Sequence, residues 1–353
     1  MAEKINEEIS AEEYLQISSN ILSTFKSRIP VSLCTFSDEM NRVEIYLEKE
    51  TRITPKKKEK IVELCDSGNL FVPKNEYQIL AEHLSKNLGS LLTEHFLDES
   101  VAAKIFHDGL TENIRAFFSN PIFDNLEEIK NNLAIFNEYL WIDQERALFF
   151  FNALDKNGSL AEHSVNTLFT GISLYLALNK NKTDLKVTND FALGLILHDM
   201  GMTQVSRSLI NKKGALLYKE KQRIQEHIDI AEKMVSRLEI TNETTLTCIT
   251  DHHERLNGSG YPKGKKADRL NLESRVCAVA DAFCAMISSR PYRNPINPIL
   301  ASIVLTKQSE LFDKNVVNAL LKFIISHNSE MKQIIQDKQK LAKLHELAAN
   351  MSK

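Results

Sequence analysis

The stretch DFALGLILHDMG, residues 190–201, decides the fold. From Phe191 to Leu197 it is apolar apart from one glycine, which is typical of a helix buried on all sides. The run ends in His198 and Asp199, so an imidazole and a carboxylate lie at the edge of a buried interior. An unpaired buried carboxylate costs several kcal/mol, and a divalent cation bound by both side chains would remove that cost. The stretch therefore predicts a metal site inside a helical domain.

Further histidines occur in the same part of the chain, each in an amphipathic or apolar helical pattern. They are His163, His227, His252 and His253, and a second aspartate, Asp281, follows them. A single histidine on such a stripe is usually a hydrogen-bonded core residue, but several together with two aspartates favour a ligand cluster. Imidazole and carboxylate suit iron, manganese or zinc, and an aspartate can bridge two ions. Two ions about 3.5–4 Å apart can hold a hydroxide and clamp a phosphodiester, so these residues indicate phosphate-ester hydrolysis.

The composition describes a globular chain of 353 residues that is neither a nucleic-acid binder nor a membrane protein. Its net charge is -3, with no obvious local basic patch to hold a nucleic-acid polymer. No apolar run approaches the roughly 20 residues of a membrane helix, and the amino terminus MAEKINEEIS is acidic, unlike a secretory signal. The five scattered cysteines lack disulfide or zinc spacing and are interpreted as buried apolar residues. We therefore expect a cytoplasmic protein.

Most of the chain has a helical period, and the exception lies between residues 31 and 73. There VSLCTF, RVEIYLE and NLFVP are short β-like runs, separated by turns and by the helical stretch TPKKKEKIVELC, whose lysines we interpret as a solvated face. The expected fold is mainly α. It has an N-terminal α/β domain over 1–120, a helical connector over 121–154 and an all-helical catalytic domain with a helical tail over 155–353. The first domain lacks a catalytic constellation, so we expect it to regulate or dimerise, through a homodimer or a signalling protein partner.

Four segments occur in a telling order along the second half of the chain. They are HDMG at 198–201, HHERLNGSGYP at 252–262, RVCAVADAF at 275–283 and SSRPYR at 288–293. In this combination they resemble the HD-GYP family of cyclic di-GMP phosphodiesterases, which belongs to the HD hydrolase superfamily. The resemblance implies an all-α domain with a metal centre between its helices and a Gly-Tyr-Pro loop beside the substrate. It also implies a bacterial signalling enzyme that hydrolyses cyclic di-GMP to linear pGpG, to GMP, or to both, by means of a bridging hydroxide.

The resemblance also implies a role for each site residue. Asp199 would bridge two ions and form the catalytic pair with His198. One ion would take His163, His198 and Asp281, and the other would take His227, His252 and His253. The ions expected are iron or manganese, with zinc, magnesium or nickel as alternatives. The residues implied to bind the substrate are Gly260, Tyr261, Pro262, Arg290 and Arg293, with Tyr292 packed beneath the arginines.

Other charged residues of the Gly-Tyr-Pro loop receive plainer interpretations. Lys265 and Lys266 are interpreted as parts of a solvated hairpin. Asp251 and Glu254, which flank the double histidine, are interpreted as hydrogen-bond partners of ligand histidines or as solvent-facing carboxylates.

The chain departs from the family at Met202, where most members have a lysine that approaches the scissile phosphate. Loss of such a contact can cost on the order of 3 kcal/mol in the transition state. Two alternatives therefore stay open. One is a degenerate domain that binds cyclic di-GMP or a partner protein without turnover, and the other is a hydrolase of another cyclic dinucleotide.

A second departure concerns the number of metals. Some family members look to bind a third ion through a glutamate four residues before the first histidine, and here that position is Ser159. A serine hydroxyl is a poor ligand for a hard divalent ion, so a dinuclear site is predicted. The rival is a third ion held by substrate phosphate, or by Glu162 after local unwinding near Gly158.

Overall fold

A computed structural model describes residues 14–17, 28–37, 42–76, 79–80, 83, 99–156, 158–179, 184–290 and 293–327. The chain divides into two compact units, Met1–Asn113 and Ile114–Lys353, and the division falls inside the helix Glu99–Ser119. The expected helical tail after residue 327 and the packing of Tyr292 lie outside the described residues. The predicted boundaries at 120 and 154 remain predictions.

The first unit contains an antiparallel sheet of four strands in the order β1-β4-β2-β3. The strands are β1 (Tyr14–Gln16), β2 (Leu33–Ser37), β3 (Arg42–Leu47) and β4 (Phe71–Pro73). Helix α1 (Pro55–Asp66) starts with proline in its first turn after the N-cap Thr54 and buries Ile61 and Cys65. The lysines at 56–58 are exposed, as a solvated face requires. The three predicted β runs are confirmed, and β1 was not predicted.

The second unit is built from helices over the described residues. In chain order the helices from residue 99 onward are α2 (Glu99–Ser119), α3 (Phe123–Ile142), α4 (Ala147–Asn152), α5 (Leu160–Asn179), α6 (Leu185–Leu197), α7 (Arg207–Ile210), α8 (Tyr218–Gln225), α9 (His227–Arg237), α10 (Glu243–Asp251), α11 (Leu272–Ile287), α12 (Pro298–Lys307) and α13 (Lys314–His327). A 3₁₀ turn, Met200–Gln204, lies between α6 and α7. The prediction of a mainly α chain with a small N-terminal α/β part is confirmed.

Helix α6 is the centre of the second unit and packs against α3, α5 and α10. Its residues from Phe191 to Leu197 are all buried, as the apolar run predicts. Two glycines allow the close approach: the side chain of Leu195 lies over Gly171, and a Cβ at Gly194 would be 2.7 Å from Cys248 Cβ. The last turn of α6 therefore lies in the middle of the helical bundle.

The helices around α6 begin at defined caps, which fix the phase of the side chains they carry. Asp184 caps α6, Asn242 caps α10 and Asn271 caps α11, each by accepting a backbone N–H bond of 2.7 or 2.8 Å. At α5, the Ser159 hydroxyl accepts from the Glu162 N–H at 3.3 Å, and the Glu162 carboxylate accepts from the Ser159 N–H at 3.1 Å. This reciprocal capping box sets the start of the helix.

Helix α8 begins without such a cap. Its N-cap residue is Leu217, which has no side-chain acceptor and is 67% exposed. Glu220 supplies half of a capping box, because its carboxylate accepts from the Leu217 N–H at 2.7 Å and also pairs with Lys212 at 2.6 Å. The side chain of Leu217 therefore offers no acceptor to the N–H groups of the first turn.

Apolar exposure and thiol burial complete the description. Trp141 and Ile142, at the end of α3, are 41% and 71% exposed. All five cysteines are unpaired and buried, which confirms their interpretation as core residues. Within the described ranges, no helix combines the length and the apolar character needed to cross a membrane.

Candidate metal centre

Asp199 stands between two groups of histidines. One group contains Asp199, His227, His252 and His253, and the other contains Asp199, His163, His198 and Asp281; in each group one ligand atom per residue lies within 4.8 Å of the others. The two oxygens of Asp199 face different groups. Oδ1 lies 3.3 Å from His227 Nε2 and 3.6 Å from His252 Nε2, whereas Oδ2 lies 3.7 Å from both His163 Nε2 and His198 Nε2. Each group could hold a metal ion, with Asp199 shared.

The helices position the seven side chains from several directions. His163 lies on α5, His198 ends α6, His227 is the first residue of α9, His252 ends α10, and Asp281 lies on α11. Most of these side chains are buried, and His253, whose side chain is 23% exposed, lies toward solvent. A ligand could therefore approach from the side of His253.

Backbone carbonyl groups fix the orientation of three imidazole rings. The Nδ1 atoms of His198, His227 and His252 lie 2.8, 2.7 and 2.9 Å from the carbonyl oxygens of Leu195, Ile224 and Ile249, three residues back in each case. Each Nδ1 is thus the donor, and in a neutral ring the Nε2 lone pair points into the centre.

The Nε2 atoms of these three rings lie close to one another or to His163. His227 Nε2 lies 3.3 Å from His252 Nε2, and His198 Nε2 lies 3.3 Å from His163 Nε2. Between His227 and His252, whose Nδ1 atoms both donate, the facing lone pairs repel unless a proton or a cation lies between them. The convergence of imidazole nitrogens on carboxylate oxygens fits divalent first-row ions.

The electrostatics favour the protonation states that bind metal at His198, His253 and Asp199, and the opposite state at His252. Burial lowers the pKa of His198 to about 4 and holds the pKa of His253 well below its usual value. Burial alone would raise the pKa of Asp199, but His198 and its neighbours hold it well below the usual value. Burial alone would lower the pKa of His252, but the hydrogen bond and charge of Asp199 outweigh burial, so the pKa of His252 is raised. Metal binding at His252 would displace the proton that Asp199 stabilises on this imidazole.

The Gly-Tyr-Pro loop lies against the centre at His253. The Tyr261 ring stacks on the His253 ring with centroids 4.7 Å apart and planes at 28°, and the Tyr261 N–H donates to the His253 carbonyl at 3.2 Å. Gly260 is pressed against the backbone of residues 253–255, where a Cβ would have no room. Tyr261 is therefore adjacent to a candidate ligand, and Gly260 and Pro262 are its chain neighbours.

The two predicted substrate arginines lie beyond the end of α11 and outside both four-residue groups. Arg290 and Arg293 exchange backbone hydrogen bonds of 3.0 Å in both directions. Arg293 Nη2 donates to the carbonyl of Ala285 at 2.6 Å, one helical turn after Asp281. Their contact with substrate remains a prediction.

Three charged residues differ from their interpretation. Lys265 is not a solvated lysine, because its ammonium binds both oxygens of the buried Asp251 at 2.8 and 2.7 Å. Asp251 and Glu254 are neither exposed nor bonded to the rings of the double histidine; their hydrogen bonds go to the loop at Lys263 and Lys265 and to Thr250. Lys266 is exposed, as expected.

The two departures from the family pattern have clear positions. Met202 is half-buried in the 3₁₀ turn, and its N–H donates to the Asp199 carbonyl at 2.9 Å. Ser159 is exposed and engaged in the α5 capping box with Glu162. The Ser159 hydroxyl and the Glu162 carboxylate, the two side chains considered for a third ion, are thus both engaged in the N-terminal cap of α5.

Gly201 is a positioning residue that sequence reasoning did not single out. The 3₁₀ turn that contains it packs on α9, and a Cβ at Gly201 would collide with the His227 carbonyl and come within 2.9 Å of the Ala231 nitrogen. The place of Gly201 directly after the His198-Asp199 pair and Met200 was the available signal.

The helical part of the chain that carries the candidate metal centre is similar in sequence to known proteins. The HD domain family profile matches residues 145–316. The chain is 28% identical over 235 residues to the cyclic di-GMP phosphodiesterase of Thermotoga maritima, covering 64% of this chain and 62% of that protein. It is 36% identical over 108 residues to 3'3'-cGAMP-specific phosphodiesterase 3 of Vibrio cholerae, covering 30% of this chain and 23% of that protein. The chain thus spans less than two thirds of the length of these relatives.

A solved structure shares the fold. Bd1817, a HDG"Y"P protein from Bdellovibrio bacteriovorus, superposes with a TM-score of 0.62 at 18% identity, over 88% of this chain and 99% of that one. At this identity the likeness speaks for the fold alone.

Proposed function

Residues 145–316 belong to the HD-GYP family of HD domains, and from that membership we propose that the protein is a metal-dependent phosphodiesterase that hydrolyses cyclic di-GMP to pGpG, GMP or both. The observation that carries the proposal is the position of Asp199, whose two oxygens face two separate histidine groups. A shared carboxylate of this kind suits a pair of ions. We propose a cytoplasmic location and a regulatory or dimerising role for the N-terminal region.

The proposed ligands are the seven residues of the two groups. Divalent ions held there, iron or manganese first, would supply Lewis-acid polarisation of the phosphate and a nucleophile from water at neutral pH. The protein's own contribution is to hold the imidazole rings by their Nδ1 bonds, so that no reorientation is needed when the ligand set is completed. Tyr261 and the arginines at 290 and 293 are proposed to hold the dinucleotide.

The test is hydrolysis of cyclic di-GMP by purified protein loaded with manganese or iron, followed by chromatography of the products and elemental analysis. We expect turnover and about two ions per chain. Asp199→Ala should lose both metal and turnover, because it removes an oxygen from each group. Asp66→Ala, at an exposed position of α1, is the control and should retain both.

Three outcomes of this experiment would each contradict a part of the proposal. An Asp199→Ala protein that keeps its metal and its activity would place the site elsewhere. Tight binding of cyclic di-GMP without turnover in the metal-loaded wild type would instead support a degenerate domain that binds the dinucleotide and does not hydrolyse it. A reproducible third ion would overturn the inference from Ser159.

A hydrolase of another cyclic dinucleotide is the second candidate. It is favoured by the relative in Vibrio cholerae that is named as 3'3'-cGAMP-specific. Adding 3'3'-cGAMP to the same assay separates the two, since the better substrate shows the higher kcat/KM.

A further inference from the structure

Asp251 and Glu254 flank the double histidine and are almost fully buried, at 2% and 1% exposure. A buried carboxylate is costly unless it is hydrogen-bonded or paired. Both carboxylates find their partners in the loop of residues 258–266, which carries the Gly-Tyr-Pro segment. The structure thus ties this loop directly to the chain on both sides of two candidate ligands.

Glu254 binds the backbone of the loop. Its Oε1 accepts from the Lys263 N–H at 2.7 Å, and its Oε2 accepts from the Lys265 N–H at 2.9 Å. Both oxygens are used, and bonds from N–H groups to an ionised carboxylate are stronger than neutral ones. The chain just after Tyr261 and Pro262 is therefore held at two alternate residues.

Asp251 binds a side chain of the same loop. Lys265 Nζ lies 2.8 and 2.7 Å from its two oxygens, and the Thr250 hydroxyl donates to Oδ1 at 2.8 Å. The Lys265 side chain is only 23% exposed, so water screens this pair weakly. Lys265 is consequently fixed at its backbone by Glu254 and at its ammonium by Asp251.

The fixed loop places Tyr261 on His253. The ring stacking at 4.7 Å and the 3.2 Å bond from the Tyr261 N–H to the His253 carbonyl lie between the double histidine and the anchored residues Lys263 and Lys265. Gly260 lies against the same backbone with no room for a Cβ. Each of these contacts requires the loop to follow the path that the two carboxylates hold.

We infer that Asp251 and Glu254 are positioning residues, which act through Lys265 and the loop backbone to hold Tyr261 beside the metal centre in a conformation ready for substrate. The inference rests on the proposed function in so far as Tyr261 contacts the dinucleotide. It assigns Lys265 to the support of the loop and away from direct binding of phosphate. Loosening the clamp should weaken substrate binding while the metal stays in place.

Lys265→Met and Lys266→Met form a matched pair for the kinetic test. Each removes one positive charge from the same loop, but Lys266 is exposed and its ammonium binds no other described side chain. We expect Lys265→Met to raise KM about tenfold or more with kcat within about twofold, because the binding group is misplaced and the metal centre is intact. Lys266→Met should leave both constants within about twofold of wild type.

Asp251→Asn tests whether the effect passes through the pair. Because Asp251 and Lys265 act through one contact, the double variant Asp251→Asn/Lys265→Met should have the KM of either single variant, not the product of the two effects. Full multiplication of the effects would mean that the two residues act separately and would contradict the clamp.

Hydrogen exchange gives a readout that needs no activity. In wild type the slowly exchanging amides of the loop peptide over 258–266 should include those of Lys263 and Lys265, which donate to Glu254. Glu254→Gln turns one acceptor into an NH₂ donor, so exchange at this peptide should accelerate about tenfold or more while the metal content stays unchanged. This result is independent of whether cyclic di-GMP is the substrate.

Two results would overturn the inference. One is a Lys265→Met protein whose KM and loop exchange match those of Lys266→Met. The other is loss of metal in Glu254→Gln or Asp251→Asn, since the carboxylates would then support the ligands and not the loop. If wild type fails to hydrolyse any cyclic dinucleotide, the proposed function falls, and the exchange measurement still decides on the clamp.

Discussion

Gly201 controls how closely Asp199 and His227 can approach, because its missing Cβ lets the 3₁₀ turn rest on the first residues of α9. We expect Gly201→Ala to destabilise the protein by about 3 kcal/mol, since the added methyl meets rigid backbone and not a movable side-chain end. The melting temperature, followed by circular dichroism, should fall by roughly 10 °C. Metal content should fall as well, because His227 shifts with α9.

The matched control is Gly214→Ala. Gly214 has no heavy atom within 4 Å of its Cβ position. An alanine there should change the stability by no more than about 0.5 kcal/mol. Equal melting temperatures for the two variants would show that the approach of α9 tolerates a side chain at residue 201.

Met202 is three residues after Asp199 and half-buried beside the candidate centre. Met202→Lys should raise kcat, by up to about a hundredfold, if a positive charge at this position stabilises the transition state. Steady-state kinetics with cyclic di-GMP measures the change, and Met202→Leu, which adds no charge, is the control. An unchanged kcat in the lysine variant would contradict a role for positive charge at this position.

The site at residue scale was predictable where residue type alone limits the chemistry. His198 and Asp199 at the end of an apolar run could be singled out because neither has another reason to be there. The partnership of Asp251 with Lys265 could not be found in this way, since it depends on how a glycine-rich loop turns back over 14 residues. Local patterns do not encode such a return.

Among the helices, α8 offers the clearest opportunity for stabilisation. Leu217→Thr places a hydroxyl at the N-cap, where it can accept a first-turn N–H and complete the capping box that Glu220 begins. We expect a gain of about 0.5–1 kcal/mol in the free energy of unfolding. Denaturant titration checks it against Leu217→Ala, which also removes the exposed apolar side chain but provides no acceptor. Equal stability of the two variants would refute the capping argument.

Element type followed from the sequence where the pattern was long or strongly punctuated. The helix before His198 and the strands β2 to β4 have such patterns, with apolar runs bounded by turns. Strand β1 covers only Tyr14–Gln16 and forms by pairing with β4, which lies more than 50 residues away. Strand β4 is equally short but lies in the apolar run NLFVP, whereas β1 follows Glu12 and Glu13 and has no such run, so its strand conformation comes from the partner.

At the scale of the whole molecule, thiol chemistry should report on unfolding. Burial raises the pKa of Cys65 to about 11 and of Cys284 to about 12, and all five thiols are buried. A thiol of pKa about 11 is ionised to roughly one part in a thousand at pH 8. We expect no rapid labelling of the native protein by an aromatic disulfide reagent at pH 8, and five labels in denaturant. Rapid labelling of one thiol, located by mass spectrometry, would contradict the burial of that residue.

The division of the chain inside α2 affects any attempt to isolate the second unit. Ile114 and Phe117 belong to that unit and are fully buried. A deletion of residues 1–120 would remove both, and large buried apolar side chains contribute several kcal/mol each. A chain that begins at Glu99 keeps the whole helix, so it separates loss of the N-terminal region from damage to the core.

Trp141, at the exposed end of α3, is the single tryptophan of the sequence. Its indole already meets water in the native state, so its fluorescence emission should shift little when the chain unfolds. The absorbance of the protein is correspondingly weak for its size, and a guanine nucleotide retained through purification would dominate the ultraviolet spectrum. A buried tryptophan would report on unfolding instead. Phe169→Trp would place one in the ring cluster that Phe169 forms with Phe136 and Phe150.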